Sequence, residues 1–147
     1  MQYTIKTFDE LTNRELYTLL QLRQEVFVIE QACIYPEIDG KDENAYHLLA
    51  VSDGKLVGCL RIVGKGVIFA EVSIGRVVVS EPNRGRGIAK EMMRHALGFI
   101  ENELKEKRVN ISAQTYAIPF YEGLGFTPVS EEYLEDGIPH VDMVCKL

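Results

Sequence analysis

Apolar and polar positions along this chain follow two periods that trade places. Residues 3–7 alternate singly, as a short half-buried strand does. Leu11, Leu16, Leu19, Leu20, Arg23, Val26 and Phe27 then recur at helical spacing and predict a helix through that region. Residues 33–44 (CIYPEIDGKDEN) lose all periodicity and read as a loop. Alternation resumes over residues 47–52, turns at Asp53-Gly54, and returns over residues 56–63, which is a hairpin pattern. Gly64-Lys65-Gly66 turns the chain into a third apolar run, residues 67–79, so three antiparallel strands are expected in a meander. A long helix is predicted from Arg84 to about Lys107, with Ile88, Met92, Ala96, Ile100 and Leu104 on one stripe. Residues 109–113 read as a strand, 118–123 as a short helix closed by Leu124-Gly125, and 141–147 as a last strand. No repeat, linker or low-complexity segment interrupts this order. The pattern predicts one α/β domain, residues 1–147, with a mixed sheet.

Composition narrows the class. A chain of 147 residues, 46% hydrophobic and 26% charged, suits a single globular core. No apolar run approaches the roughly 18–20 residues of a membrane span. The start, MQYTIKTFDELTNRE, lacks the basic-then-apolar order of a secretory leader. Cys33, Cys59 and Cys145 share no C-x-x-C spacing, which argues against a disulfide framework or a zinc site, and a cytoplasmic setting is expected. His47 with Asp39, Asp42 and Glu43 lacks metal-ligand spacing, so no metal is expected. A net charge of -6 argues against a nucleic-acid partner, which needs a basic footprint.

The candidate chemistry starts at VVVSEPNRGRGIAKEMMRHA, residues 77–96. A strand runs through a glycine-bearing turn into a helix mouth. The first N–H groups of a helix lack intrahelical acceptors, and the macrodipole puts partial positive charge there. Gly85 and Gly87 let the backbone close on a bulky guest, and Arg84 and Arg86 supply charge-assisted donors. Such a turn favours a phosphate or pyrophosphate. A dinucleotide fingerprint would need glycine where Lys90 stands, and no Gly-Lys-Ser/Thr follows to make a P-loop.

Arg84-Gly85-Arg86-Gly87-Ile88-Ala89 resembles the Q/R-x-x-G-x-G/A signature of the GNAT N-acetyltransferases. AQTYAIPFYEGLGF carries the F-Y-E-x-x-G-F ending common in that family. LRQEVFVIEQACIYPEIDGKD, IGRVVV, NISAQT and DGIPHVDM are similar to its ElaA-like branch, in order and over nearly the whole chain. The resemblance implies a mostly antiparallel mixed sheet flanked by helices, with a splayed central strand pair. It implies acetyl-CoA as donor, its pyrophosphate on residues 84–89 and its pantetheine arm along the backbone of Val77, Val78 and Val79. Many members carry Asn at a cofactor contact where this chain has Gln114.

The reaction so implied is direct attack of an amine on the thioester in a ternary complex. Tyr121 falls at the family's general-acid position, and an N–H near Val79 would serve the oxyanion. Glu71 falls where members often place a base. His140 and His47 are the other titratable candidates, and a water relay would need none of them. Glu25, Glu30, Glu37, Asp39, Asp42 and Glu43 come from the segment that forms the acceptor wall in this superfamily, and would suit a cationic amine of a small molecule or peptide. Two other readings stay open: a non-catalytic acetyl-CoA sensor, and a site for another phosphate ligand such as a nucleotide. A monomer or homodimer is expected.

Overall fold

The computed structural model describes residues Met1–Leu147. Strand β1 (Gln2–Thr7) leads into α1 (Asn13–Arg23). Thr12 starts that helix with a capping box: its hydroxyl accepts from Glu15 N–H at 3.1 Å, and Glu15 accepts from Thr12 N–H at 2.8 Å. The helix then widens into a π-helical segment, Gln24–Glu30, which the apolar spacing alone did not distinguish from α-helix. Strands β2 (Tyr46–Ser52), β3 (Lys55–Val63) and β4 (Val72–Val79) follow, then α2 (Ile88–Asn102), β5 (Arg108–Gln114), α3 (Ile118–Glu122), β6 (Phe126–Pro128), β7 (Tyr133–Glu135) and β8 (Ile138–Lys146).

One eight-stranded sheet runs β1-β2-β3-β4-β5-β8-β6, with β7 also paired to β8. Only β4 and β5 are parallel. Helix α2 buries Ile88, Met92, Met93, Ala96 and Ile100 against one face, among Leu48, Leu60, Ile62, Ile74 and Ile111. Helix α1 and its π-helical extension bury Leu19, Leu22 and Val26 against Leu49, Cys59 and Val78 on the other. The main core forms under α2 because its apolar stripe is long enough to cover four strands. No helix is long and apolar enough to cross a membrane.

The expected mixed, mostly antiparallel sheet is present, and four local expectations are corrected. The third strand begins at Val72, because Gly66 N–H bonds the Phe69 carbonyl at 2.8 Å and closes residues 66–69 into a turn. Helix α2 begins at Ile88, because Gly87 holds a left-handed φ of 76°. It ends at Asn102, just before Lys105 reverses the chain at φ 58°. Strands β6 and β7 had too few alternating residues to announce themselves, and β8 starts three residues earlier than its apolar run suggested.

Candidate active site

The parallel pair β4–β5 is joined only at Val72–Val109 and Ser73–Asn110. Beyond Ser73 the strands part, so β4 from Ile74 to Val79 keeps its β3 partner and offers its other backbone edge to a gap. A bulge sharpens the divergence. Cys59 opposes Val78 while Arg61 opposes Gly75, which leaves Arg76 at φ 53°. The bulge also turns Val77 and Val79 toward the main core while Val78 meets α1, so Val77 does not share Ser73's face as simple alternation expects.

A cleft of about 1130 Å³ opens at this gap. Its walls are the π-helical segment, the open half of β4, the 84–90 turn, the ends of β5 and β8, and the segment carrying Tyr116 to Tyr121. At one end Gly85 and Gly87 adopt φ of 77° and 76°, which L side chains rarely tolerate. Gly87 is the N-cap of α2 and has no side chain to cap it, so the first helical N–H groups face outward. Gly85, Gly87, Ile88, Ala89 and Lys90 line the cleft; Arg86 is exposed and does not.

Arg84 lines the cleft too, but its guanidinium is engaged. Its Nε donates to the Val79 carbonyl at 3.0 Å, and its two terminal nitrogens donate to Glu30 at 2.8 and 3.0 Å. That bridge holds the Glu30 carboxyl below its usual range. Gln114, the last residue of β5, reaches across to Gln31 at 3.4 Å.

Tyr121 stands on α3 with its ring edge-on to Phe120 and Phe126, at centroid distances of 5.1 and 5.9 Å. It lines the cleft, and burial pushes its phenol up to about 12. Glu71 does not belong to this group. It lies one residue before β4, at the closed end where β4 and β5 still pair, and Asn110 holds its carboxylate at 2.8 Å. Phe69 and Ser73 reach the cleft wall, but Glu71 does not.

The acidic loop is corrected as well. Glu37 and Asp42 are buried, and with Asp39 they neutralise Arg23, Arg61 and Arg76. Arg23 bridges Glu37 and Asp42 at 2.8 Å each; Arg61 binds Asp39 at 2.6 Å; Arg76 binds Glu37 at 2.5 Å. Burial alone would raise the two aspartates, but these guanidiniums hold both carboxyls low. Arg76 also lies over the Tyr35 ring at 5.4 Å. Glu25 and Glu43 are exposed and off the cleft. His47 is buried beneath the loop, its Nε2 2.9 Å from the Asp42 carbonyl, and burial lowers its pKa. The cleft also carries Glu135 and Asp136, from the β7–β8 hairpin that sequence reasoning missed; neither pairs with an arginine or lysine, and Glu135 accepts from Ser112 Oγ at 3.5 Å.

His140 completes this wall. Register pairs it with Gln114, and it is 7% exposed. Beside it Tyr133 donates to Asp142 at 2.6 Å and bonds Ser112.

A family model described as an acetyltransferase (GNAT) domain matches residues 9–147. The chain is 42% identical to ElaA of Escherichia coli over 91% of its own length and 89% of that protein's. It is 40% identical to a UPF0039 protein of Schizosaccharomyces pombe across all of this chain and 98% of the relative. A solved acyl-CoA N-acyltransferase from Pseudomonas aeruginosa superposes with a TM-score of 0.91 at 42% identity, covering 99% of both chains. The crystal structure of E. coli ElaA superposes equally well, at 0.91 over 98% of each chain.

Proposed function

This chain belongs to the GNAT acetyltransferase family, and from that premise we propose that it transfers an acetyl group from acetyl-CoA to a primary amine of a small molecule or peptide, both held in the cleft at once. Membership makes it an acyltransferase that draws on a CoA thioester. The observation that carries the finer reading is the gap between β4 and β5, with an uncapped helix N-terminus at one end and the Tyr121 phenol on its wall.

The residues fit the donor. The outward N–H groups of α2, with Gly85 and Gly87 leaving room above them, suit a pyrophosphate. The unpaired edge of β4 through Val77, Val78 and Val79 suits the amide-bearing arm, which completes a missing strand there. Ile88 and Ala89 extend this wall, and Arg84 and Gln114 flank it; Arg86 is close enough to add long-range positive potential. When bound, the thioester supplies an activated carbonyl and a good leaving group. An N–H of β4 near Val79 gives the carbonyl oxygen a donor as charge develops. Tyr121 hydrogen-bonds the departing sulfur; with its phenol at about 12 it stays protonated at working pH, which suits a donor and not a base. We take the setting to be reducing and cytoplasmic, with three buried free thiols in support, and the enzyme to act as a monomer or homodimer.

The test combines calorimetric titration with acetyl-CoA and thiol release across amines, polyamines, amino acids and peptides. We expect binding, and release stimulated by at least one amine. Gly87→Trp should weaken acetyl-CoA binding at least about tenfold, because the indole fills the anion seat. Tyr121→Phe should keep acetyl-CoA affinity while turnover falls about 10²-fold. Binding without amine-stimulated release would make the protein a sensor, and displacement of CoA by nucleotides would reassign the anion seat.

A further inference from the structure

With Glu71 off the cleft wall, the β7–β8 hairpin offers another side-chain acceptor for the amine's proton. His140 Nδ1 lies 2.7 Å from the Ile138 carbonyl oxygen. A carbonyl only accepts, so Nδ1 carries the hydrogen and the neutral ring presents its lone pair at Nε2. That nitrogen lies 3.5 Å from Glu135 Oε2. In the neutral state two acceptors face each other there and gain nothing. Once Nε2 takes a proton, the same pair becomes an ion pair. This arrangement favours a base, because it fixes which nitrogen is basic and stabilises only the protonated ring.

The surroundings hold the ring in place. Tyr133 stacks on it at a centroid distance of 6.1 Å and an interplanar angle of 23°. Tyr133 is itself anchored by its bonds to Asp142 and Ser112. The charged and titratable neighbours are therefore Glu135 and Tyr133 on β7 and Asp142 on β8, the strand of His140 itself; Ser112 and Gln114 on β5 are neutral. Pairing with Gln114 puts His140 at the open end of the splayed strands, on the wall of the same cleft as Tyr121. The structure also shows what Glu71 lacks: His140 is at the open end and aimed at a carboxylate, while Glu71 is at the closed end and occupied by Asn110.

We propose that His140 is the general base that takes the acceptor's proton at Nε2, and that Glu135 is a positioning residue that stabilises the resulting imidazolium. The proposal rests on the acetyltransferase reading above. An ammonium acceptor gives one proton to Nε2, and its freed lone pair forms the C–N bond to the thioester carbonyl. The C–S bond breaks with its electrons on sulfur, and the second amine proton reaches that sulfur through Tyr121. His140 then returns its proton to solvent, so ammonium and thioester become amide, thiol and one proton.

The experiment has two arms. The first is nitrogen-15 NMR of the imidazole in the free protein, wild type and Glu135→Gln, titrated with pH. We expect an Nδ1–H tautomer at high pH, and in Glu135→Gln a changed Nε2 resonance of the protonated ring, since its carboxylate partner is gone. An Nε2–H tautomer, or an Nε2 resonance indifferent to Glu135, would overturn the proposal without touching the acetyltransferase reading. The second arm is the pH profile of kcat/KM with an amine from the screen. His140→Gln should lower kcat/KM by roughly 10²- to 10⁴-fold, remove the acidic limb and leave acetyl-CoA affinity unchanged. Glu135→Gln, at a half-exposed position that keeps the fold, should retain the limb and lower kcat/KM less than His140→Gln does. Wild-type kcat/KM and an unchanged limb in both variants would sink the base assignment alone. Thiol release stimulated by no amine, with CoA bound, would overturn the reading and this proposal together.

Discussion

The two halves of the cleft are built from different materials. One end, where we place the donor, is backbone: glycines at left-handed φ, a helix without a cap, and a strand edge without a partner. The wall where we place the acceptor is backed by side chains from four separate segments, fixed by charge. Arg23 from α1, Arg61 from β3 and Arg76 from the β4 bulge converge on Glu37, Asp39 and Asp42 of one loop. The difference teaches where each half is vulnerable. Backbone donors survive most substitutions, whereas a buried ion network fails when one member leaves.

Removing one member gives the largest effect. Arg23→Ala should cost about 3–5 kcal/mol, because Glu37 and Asp42 stay buried and lose their shared partner. Thermal denaturation should show a fall of roughly 10 °C for a chain of this size. Acetyl-CoA affinity measured well below the transition should hold, since the donor half takes nothing from Arg23. Arg84→Ala is the matched control: that bridge is 39% and 42% exposed at its two ends and should cost far less. Equal losses in the two variants would erase the contrast.

Acid should probe the acceptor half next. Burial lowers the folded-state pKa of His47, so the unfolded chain binds its proton first as pH falls. Stability is then full above about 6.5 and declines below it, by at most about 1.4 kcal/mol per pH unit. Asp39 and Asp42, held low by their arginines, add a second decline below about pH 4. Urea denaturation at about pH 7.5 and about pH 5.5 checks the first step. His47→Gln should flatten it. A stability that stays level to about pH 5 would mean the loop does not depend on a neutral His47.

The smallest effect sharpens the comparison at its border, where Glu30 of the acceptor wall grips Arg84 of the donor turn. Glu30→Gln should free the guanidinium for phosphate and tighten acetyl-CoA binding by up to about fivefold at low salt, with the gain fading at high salt. Weaker binding would instead mean that Arg84 acts through its hold on the Val79 carbonyl.

The same division explains what could be read in advance. The glycine-bearing helix mouth was legible because glycine positions and a helix start are local, and Gly85, Gly87 and Ala89 line the cleft. The strand bearing Val77 to Val79 was legible, but its bulge was not: alternation carries no mark of two residues opposing one across a partner strand. Glu71 was proposed from the family resemblance, and no local pattern marks that Asn110, 39 residues away, holds its carboxylate off the cleft wall. The carboxylates of residues 37–42 looked free because their arginines lie at least 14 residues away in sequence. The β7–β8 hairpin was silent because three residues are too short for a period.

The sequence by itself determined the order of the longer strands and helices, the glycines of the helix mouth, the family and the tyrosine on the cleft wall, since each is written in adjacent residues or in a spacing. Only the tertiary structure decided that β4 and β5 part after Ser73, that three arginines neutralise the acidic loop, and that His140 Nε2 lies 3.5 Å from Glu135. These depend on which distant segments touch. Register and burial set those contacts, and neither quantity is carried by any residue alone.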